Sequence, residues 1–112
     1  MAGRRSTTTQ PEVGLCTGKD CRRADGFRTV QRELTSGCTV IELPCLDVCD
    51  GALVVLSPRV EPVVIERVRN RAMALEIVDH VVNDAPLPGR LRKRRLGGSK
   101  RSKALRRLDR AL

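Results

Sequence analysis

Two short loops hold four of the five cysteines of this 112-residue chain, and they constrain its fold more than any other feature. Cys16 and Cys21 enclose four residues, and Cys45 and Cys49 enclose three. Each loop follows a short apolar segment, so we expect each loop to stand at the end of a β-strand. Four thiols in two local pairs indicate a shared metal ion or metal cluster. Such a staple would stabilise a small domain whose core, with one Phe and no Trp or Tyr, is mostly aliphatic.

The positive charge of the chain is concentrated at its C-terminus. Residues 90–112 hold eleven of the 22 lysines and arginines but one of the 13 acidic residues, which leaves residues 1–89 nearly neutral. We therefore predict a disordered leader at 1–10 and an α/β domain at 11–84. We predict that 85–112 is a linker and basic tail, disordered or partly helical.

The basic tail has three interpretations. It is a solubilising extension, a contact for nucleic acid that neutralises phosphates, or an electrostatic dock for an acidic redox partner. The near-absence of aromatic residues excludes the usual stacking platform for single-stranded nucleic acid. No base-reading motif is present, so sequence-specific binding is not supported.

Residue patterns within 11–84 predict six regular elements. We expect strands at 13–15, 38–43, 52–56 and 63–68, with the last two forming a hairpin, and helices at 25–35 and 71–83. Asp25 and Asn70 are the predicted N-terminal caps of the helices. The apolar stripe of the second helix is expected to include Leu75 and Val82 at its borders. The order β-α-β-β-β-α predicts a small mixed four-stranded sheet with two helices against it.

The cysteine spacing favours a cluster over a single ion. Structural zinc sites prefer shorter knuckles with two intervening residues, whereas wider loops suit a larger object such as an iron–sulfur cluster. Gly18 and Gly51 would let the backbone pass close to sulfur. Zinc, and thiols or disulfides without metal, are the alternatives. A thiol oxidoreductase is disfavoured because the C-x2-C redox motif is absent.

Other chemically capable residues have simpler explanations. Cys38 is interpreted as a buried strand cysteine, with a spare ligand or reactive thiol as the alternative. His80 lies with Glu76 and Asp79 on the polar face of the second helix, and a solvated face is favoured there over a metal site. Asp47 and Asp50 are interpreted as loop-capping residues, because no nucleophile or base is arranged around them.

At these residues the chain resembles the thioredoxin-like 2Fe–2S ferredoxins, the family that includes the small 2Fe–2S subunit of respiratory complex I. The segments that carry the resemblance are Cys16-Thr-Gly-Lys-Asp-Cys21 and Cys45-Leu-Asp-Val-Cys49-Asp-Gly51, and the likeness continues to about Asn83. It implies a thioredoxin-like fold and a 2Fe–2S cluster ligated by Cys16, Cys21, Cys45 and Cys49. It also implies one-electron transfer. The short segment between the cysteine pairs favours a free-standing protein.

The leading hypothesis is therefore a cytoplasmic electron carrier, not an enzyme, that serves a redox partner protein. Clustered cysteines in a reducing compartment more often bind metal than form structural disulfides, and no apolar run reaches the length of a membrane span. The sequence is compatible with a homodimer. The alternative hypothesis is a zinc-stapled binding module whose tail at 90–112 contacts nucleic acid or an acidic protein. A third hypothesis combines these two: the cluster senses oxidation while the basic tail binds a nucleic acid.

Overall fold

The computed structural model describes residues 11–46 and 51–112, in which it contains four strands and five helices. The strands are β1 (Glu12–Cys16), β2 (Thr39–Leu43), β3 (Val54–Leu56) and β4 (Val63–Ile65). The helices are α1 (Lys19–Arg23), α2 (Phe27–Gly37), α3 (Arg71–Asn83), α4 (Gly89–Arg92) and α5 (Gly98–Ala111). The predicted leader at 1–10 lies outside the described residues. Within the described ranges, no helix has the length and apolar character that crossing a membrane requires.

The four strands form one mixed sheet in the order β2-β1-β3-β4. β1 pairs with β2 in parallel, while β3 pairs antiparallel with both β1 and β4. The predicted four-stranded mixed sheet and its β3–β4 hairpin are therefore confirmed. The prediction of two helices is wrong, because the described residues form five. All of β3 and four of the five residues of β1 are buried. Because successive residues of a strand face opposite sides, both faces of the sheet are covered at its centre.

Helix α2 begins at Phe27, so the capping role predicted for Asp25 is wrong. The residue at the cap position is Gly26, with φ of 82° and no side-chain cap. A Cβ at this position would also overlap the carbonyl oxygen of Arg69. Both the left-handed backbone and the close approach require glycine. The helix buries Phe27, Val30 and Leu34.

Helix α3 matches its predicted bounds and its predicted cap. The side chain of Asn70 accepts a hydrogen bond from the backbone N–H of Met73 at 2.9 Å, which satisfies one amide of the first turn. Leu75 and Val82 are 41% and 45% exposed, so the predicted width of the apolar stripe is wrong. The stripe is narrower because α3 packs against α2 along one side.

The C-terminal segment is part of the packed core. The prediction for 85–112 was disorder or partial helix, and the structure contains α4 and α5 there. Four side chains from the segment join the buried core: Leu91, Leu96, Ala104 and Leu108. Residues 94–96, here called the edge strap, run beside β4. The Glu66 N–H donates to the Arg94 carbonyl at 3.0 Å, and the Leu96 N–H donates to the Val64 carbonyl at 2.9 Å.

Candidate metal centre

The parallel pairing of β1 with β2 brings the starts of the two cysteine loops together. Cys16, the last residue of β1, is in register with Leu43, the last residue of β2. The backbone N–H and the hydroxyl of Thr17 both donate to the Leu43 carbonyl, at 2.8 and 2.9 Å. Because parallel strands end at the same edge of a sheet, Cys16 and Cys45 begin their loops at neighbouring points.

The first loop contains α1, a helix of five residues that the sequence pattern did not predict. It begins after Gly18, whose carbonyl accepts a hydrogen bond from the Arg22 N–H at 2.9 Å. Cys21 lies within this helix and is fully buried. The turn of helix therefore directs the second thiol of the loop into the interior instead of toward solvent.

The two cysteine loops are in direct contact at Gly18. A Cβ on Gly18 would lie 2.8 Å from the Cβ of Cys45 and 3.3 Å from its Sγ. Cβ atoms do not approach each other this closely, so only glycine allows this spacing. The backbone of the first loop therefore packs against a predicted ligand of the second loop, as the glycine beside the cysteines suggested.

The thiols of the first loop point at the ends of the second. The Sγ of Cys16 lies 3.7 Å from the carbonyl oxygen of Pro44, and the Sγ of Cys21 lies 3.4 Å from that of Gly51. Cys16 and Cys21 are fully buried, whereas Cys45 is exposed. The two contacts bracket the Cys45–Cys49 loop on both sides. Cys49, Asp47 and Asp50 lie outside the described residues.

The exit of the second loop is held by the segment that follows β4. Gly51 and Arg67 both have left-handed backbones, with φ of 74° and 54°. A Cβ on Gly51 would lie 3.0 Å from the Cα of Arg67. The Arg94 guanidinium of the edge strap donates to the Arg67 carbonyl at 2.7 Å. The strap thus braces the residue against which the end of the cysteine loop packs.

Cys38 lies away from this edge. It caps the C-terminal end of α2 and precedes β2, so the length of that strand separates it from the cysteine loops. Five residues of strand correspond to about 16 Å. The side chain is buried, and burial raises the pKa of the Cys38 thiol. This position agrees with the interpretation of Cys38 as a core residue and not a ligand.

The polar face of α3 has its own hydrogen bonds. The Nδ1 of His80 lies 2.7 Å from the Ala85 carbonyl, and Asp79 accepts from the Asn83 amide at 2.8 Å. Glu76 forms a salt bridge with Arg90 at 2.9 Å. Across residues 11–46 and 51–112, no three His, Cys, Asp or Glu side chains are grouped where a metal ion could bind. The fourth predicted ligand, Cys49, is outside these ranges.

Cys16, Cys21 and Cys45 lie at this edge, but among the described residues they do not form a group of three donors around one metal ion. A 2Fe–2S cluster takes four cysteine thiolates, two on each iron, and Cys16, Cys21 and Cys45 are the three described candidates. Thiolates are soft ligands, and two of the three are shielded from water.

Comparisons with known proteins give this chain no relative. No protein-family model, curated protein or solved structure matches it.

Proposed function

We propose that this protein is a small 2Fe–2S electron carrier with a thioredoxin-like fold. The observation that carries the proposal is the contact of the two cysteine loops at the carboxyl ends of β1 and β2, where Gly18 touches Cys45. Cys16, Cys21, Cys45 and Cys49 are the proposed ligands. The sheet order β2-β1-β3-β4, with β1 and β2 parallel, supports the thioredoxin-like assignment.

The bound cluster would supply a one-electron couple, and the protein's residues would set its surroundings. Cys16 and Cys21 would hold it on the buried side, where the low dielectric strengthens electrostatic interactions. Cys45 is exposed, so a partner protein could approach the cluster from its side. The proposal assigns no catalytic residue, and the electron passes to or from a separate redox protein. A cytoplasmic location stays a prediction from the cysteine usage.

Metal analysis with visible and electron paramagnetic resonance spectra tests this proposal. Anaerobically purified protein should be red-brown, hold about two irons per chain as a 2Fe–2S cluster requires, and give a paramagnetic signal only after reduction. Cys45→Ser should remove or alter the visible spectrum, because one thiolate is lost. Cys38→Ser is the matched control and should leave the spectrum unchanged. Colourless protein with one zinc per chain would refute the electron-carrier proposal.

A zinc-stapled binding module is the second candidate, and the charge of α5 favours it. This helix buries Ala104 and Leu108 against the domain and exposes most of its lysines and arginines. In this candidate the metal contributes folding energy, and the cationic helix contacts nucleic acid or an acidic protein. The same metal analysis separates the two candidates, since the second requires zinc.

A further inference from the structure

A group of exposed cations surrounds the first cysteine loop. We call it the cationic face, and it consists of Lys19, Arg22 and Arg23 from α1 with Arg28 and Arg32 from α2. Four of these five side chains line a cleft of about 610 Å³, together with Thr17, Phe27, Gln31 and Glu42. The cleft therefore has cationic walls and one acidic residue.

The segment that carries the cationic face has more positive than negative charge. Elsewhere, arginines form salt bridges with glutamates: Arg59 with Glu12, Arg67 with Glu66, Arg71 with Glu33, and Arg90 with Glu76. No side chain of the cationic face takes part in a salt bridge between described residues. Residues 17–32 contain five basic and two acidic residues. Arg28 and Arg32 are one helical turn apart, a spacing at which like charges repel.

The position of this face ties it to the candidate metal centre. Cys21 stands on α1 between the basic residues Lys19 and Arg22, and Gly18, which precedes that helix, touches Cys45. A protein bound on the cationic face would therefore sit beside three of the proposed ligands. Repulsion among the cations would be relieved by carboxylates of the partner, since arginine pairs with carboxylate in a two-pronged geometry.

We propose that the cationic face is the docking surface for an acidic one-electron carrier protein. This inference rests on the proposed function. Cys16, Cys21, Cys45 and Cys49 would hold the cluster, which would accept one electron from the reduced partner without exchange of a bond or a proton. Electrostatic docking mainly raises the rate of association, and electron-transfer encounters need only small interfaces.

A protein is a better occupant than a nucleic acid. The single aromatic residue of the chain, Phe27, is 5% exposed, so the cleft presents no ring on which a base could stack. The location beside the cysteine loops shortens the path of an electron to or from a protein partner. Phosphate binding would gain nothing from that location.

Two measurements on the full-length holoprotein test the docking surface, with reduced flavodoxin as the acidic one-electron probe. The first is carbodiimide cross-linking, which joins an amine to a carboxylate in direct contact. Lys19 is the one lysine of the cationic face, and the others, Lys93, Lys100 and Lys103, all belong to the C-terminal segment. Mass spectrometry of the product should place the cross-link at Lys19.

The second measurement is the rate constant of electron transfer from the probe at low ionic strength. The variant that combines Arg22→Gln, Arg23→Gln and Arg28→Gln should be slower by roughly tenfold, the factor that three exposed ion pairs of ordinary strength give. The control combines Arg101→Gln, Arg106→Gln and Arg110→Gln on α5, which removes the same charge. It should change the rate by less than about twofold, because α5 is outside the proposed surface.

The outcomes separate this inference from the proposed function. Protein without iron refutes the electron-carrier proposal by metal analysis alone, and the docking inference falls with it. Iron-loaded protein that cross-links through the C-terminal lysines, or is slowed equally by both triple variants, overturns the docking inference only. The docking inference is also overturned if the variant of Arg22, Arg23 and Arg28 loses affinity for a short DNA duplex while its electron-transfer rate with flavodoxin is unchanged.

Discussion

Leu91→Ala should destabilise the whole domain, although Leu91 lies in the basic segment beyond residue 84. Its side chain is fully buried in α4 and belongs to the same core as the central strands. Removing a buried leucine side chain costs about 2–5 kcal/mol, from lost transfer energy and the cavity left behind. A domain of this size has a free energy of unfolding of only about 5–15 kcal/mol. The melting temperature should therefore fall by roughly 8 °C or more.

Equilibrium unfolding in urea, followed by far-UV circular dichroism, measures this loss. Leu112→Ala is the matched control, because that leucine is 44% exposed and truncating it should change stability by less than about 0.5 kcal/mol. Both variants replace leucine by alanine, so the difference between their free energies of unfolding reports the effect of burial alone. Equal stability of the two variants, both close to that of the natural chain, would refute the argument that the C-terminal segment is part of the core.

Two further predictions concern the contact between Gly18 and Cys45 and the buried thiol of Cys38. Gly18→Ala should weaken cluster retention, because the new methyl group would collide with Cys45, while Gly97→Ala should not, since nothing lies within 4 Å of a Cβ there. Loss of visible absorbance during incubation with an iron chelator measures this, and equal rates for the two variants would contradict it. Burial raises the pKa of Cys38, so the protonated thiol is favoured in the folded state. The protonated Cys38 thiol contributes to the free energy of unfolding in full below the unfolded-state pKa of about 8.5. This contribution is lost as the pH rises through the folded-state pKa. Between pH 7.5 and 10 the natural chain should therefore lose more unfolding free energy than Cys38→Ala, and parallel losses would exclude this effect.

Local patterns were enough to predict the sheet and the bounds of helix α3. Alternating and β-branched runs ended at the cysteines, so the loops could be placed at strand ends before any pairing was known. Asn70 could be assigned as a cap because its role needs only the backbone three residues ahead. In the parallel β1–β2 pair, Cys16 is in register with Leu43, which brings Cys16 and Cys45 to the same edge of the sheet.

What could not be predicted depends on contacts between distant residues. Helix α1 has five residues, too few to show a period of 3.6. Gly26, and not Asp25, stands at the N-terminal cap of α2. This depends on the carbonyl of Arg69, which is close in space but distant in sequence. Leu91 and Leu96 stand alone among arginines, so no apolar stripe marks them as core residues, and only their place beside the sheet buries them.

The edge strap has a consequence for self-association. β4 is the last strand of the sheet on its side, and its three residues, Val63–Ile65, are all apolar. An uncovered strand of this kind is a template on which another molecule can add a strand, which is a route to aggregation. The strap occupies part of that edge with main-chain hydrogen bonds and surrounds it with arginines. Proteolytic loss of the C-terminal segment would uncover this edge. The basic residues of the edge strap therefore also protect β4 from pairing with a strand of another molecule.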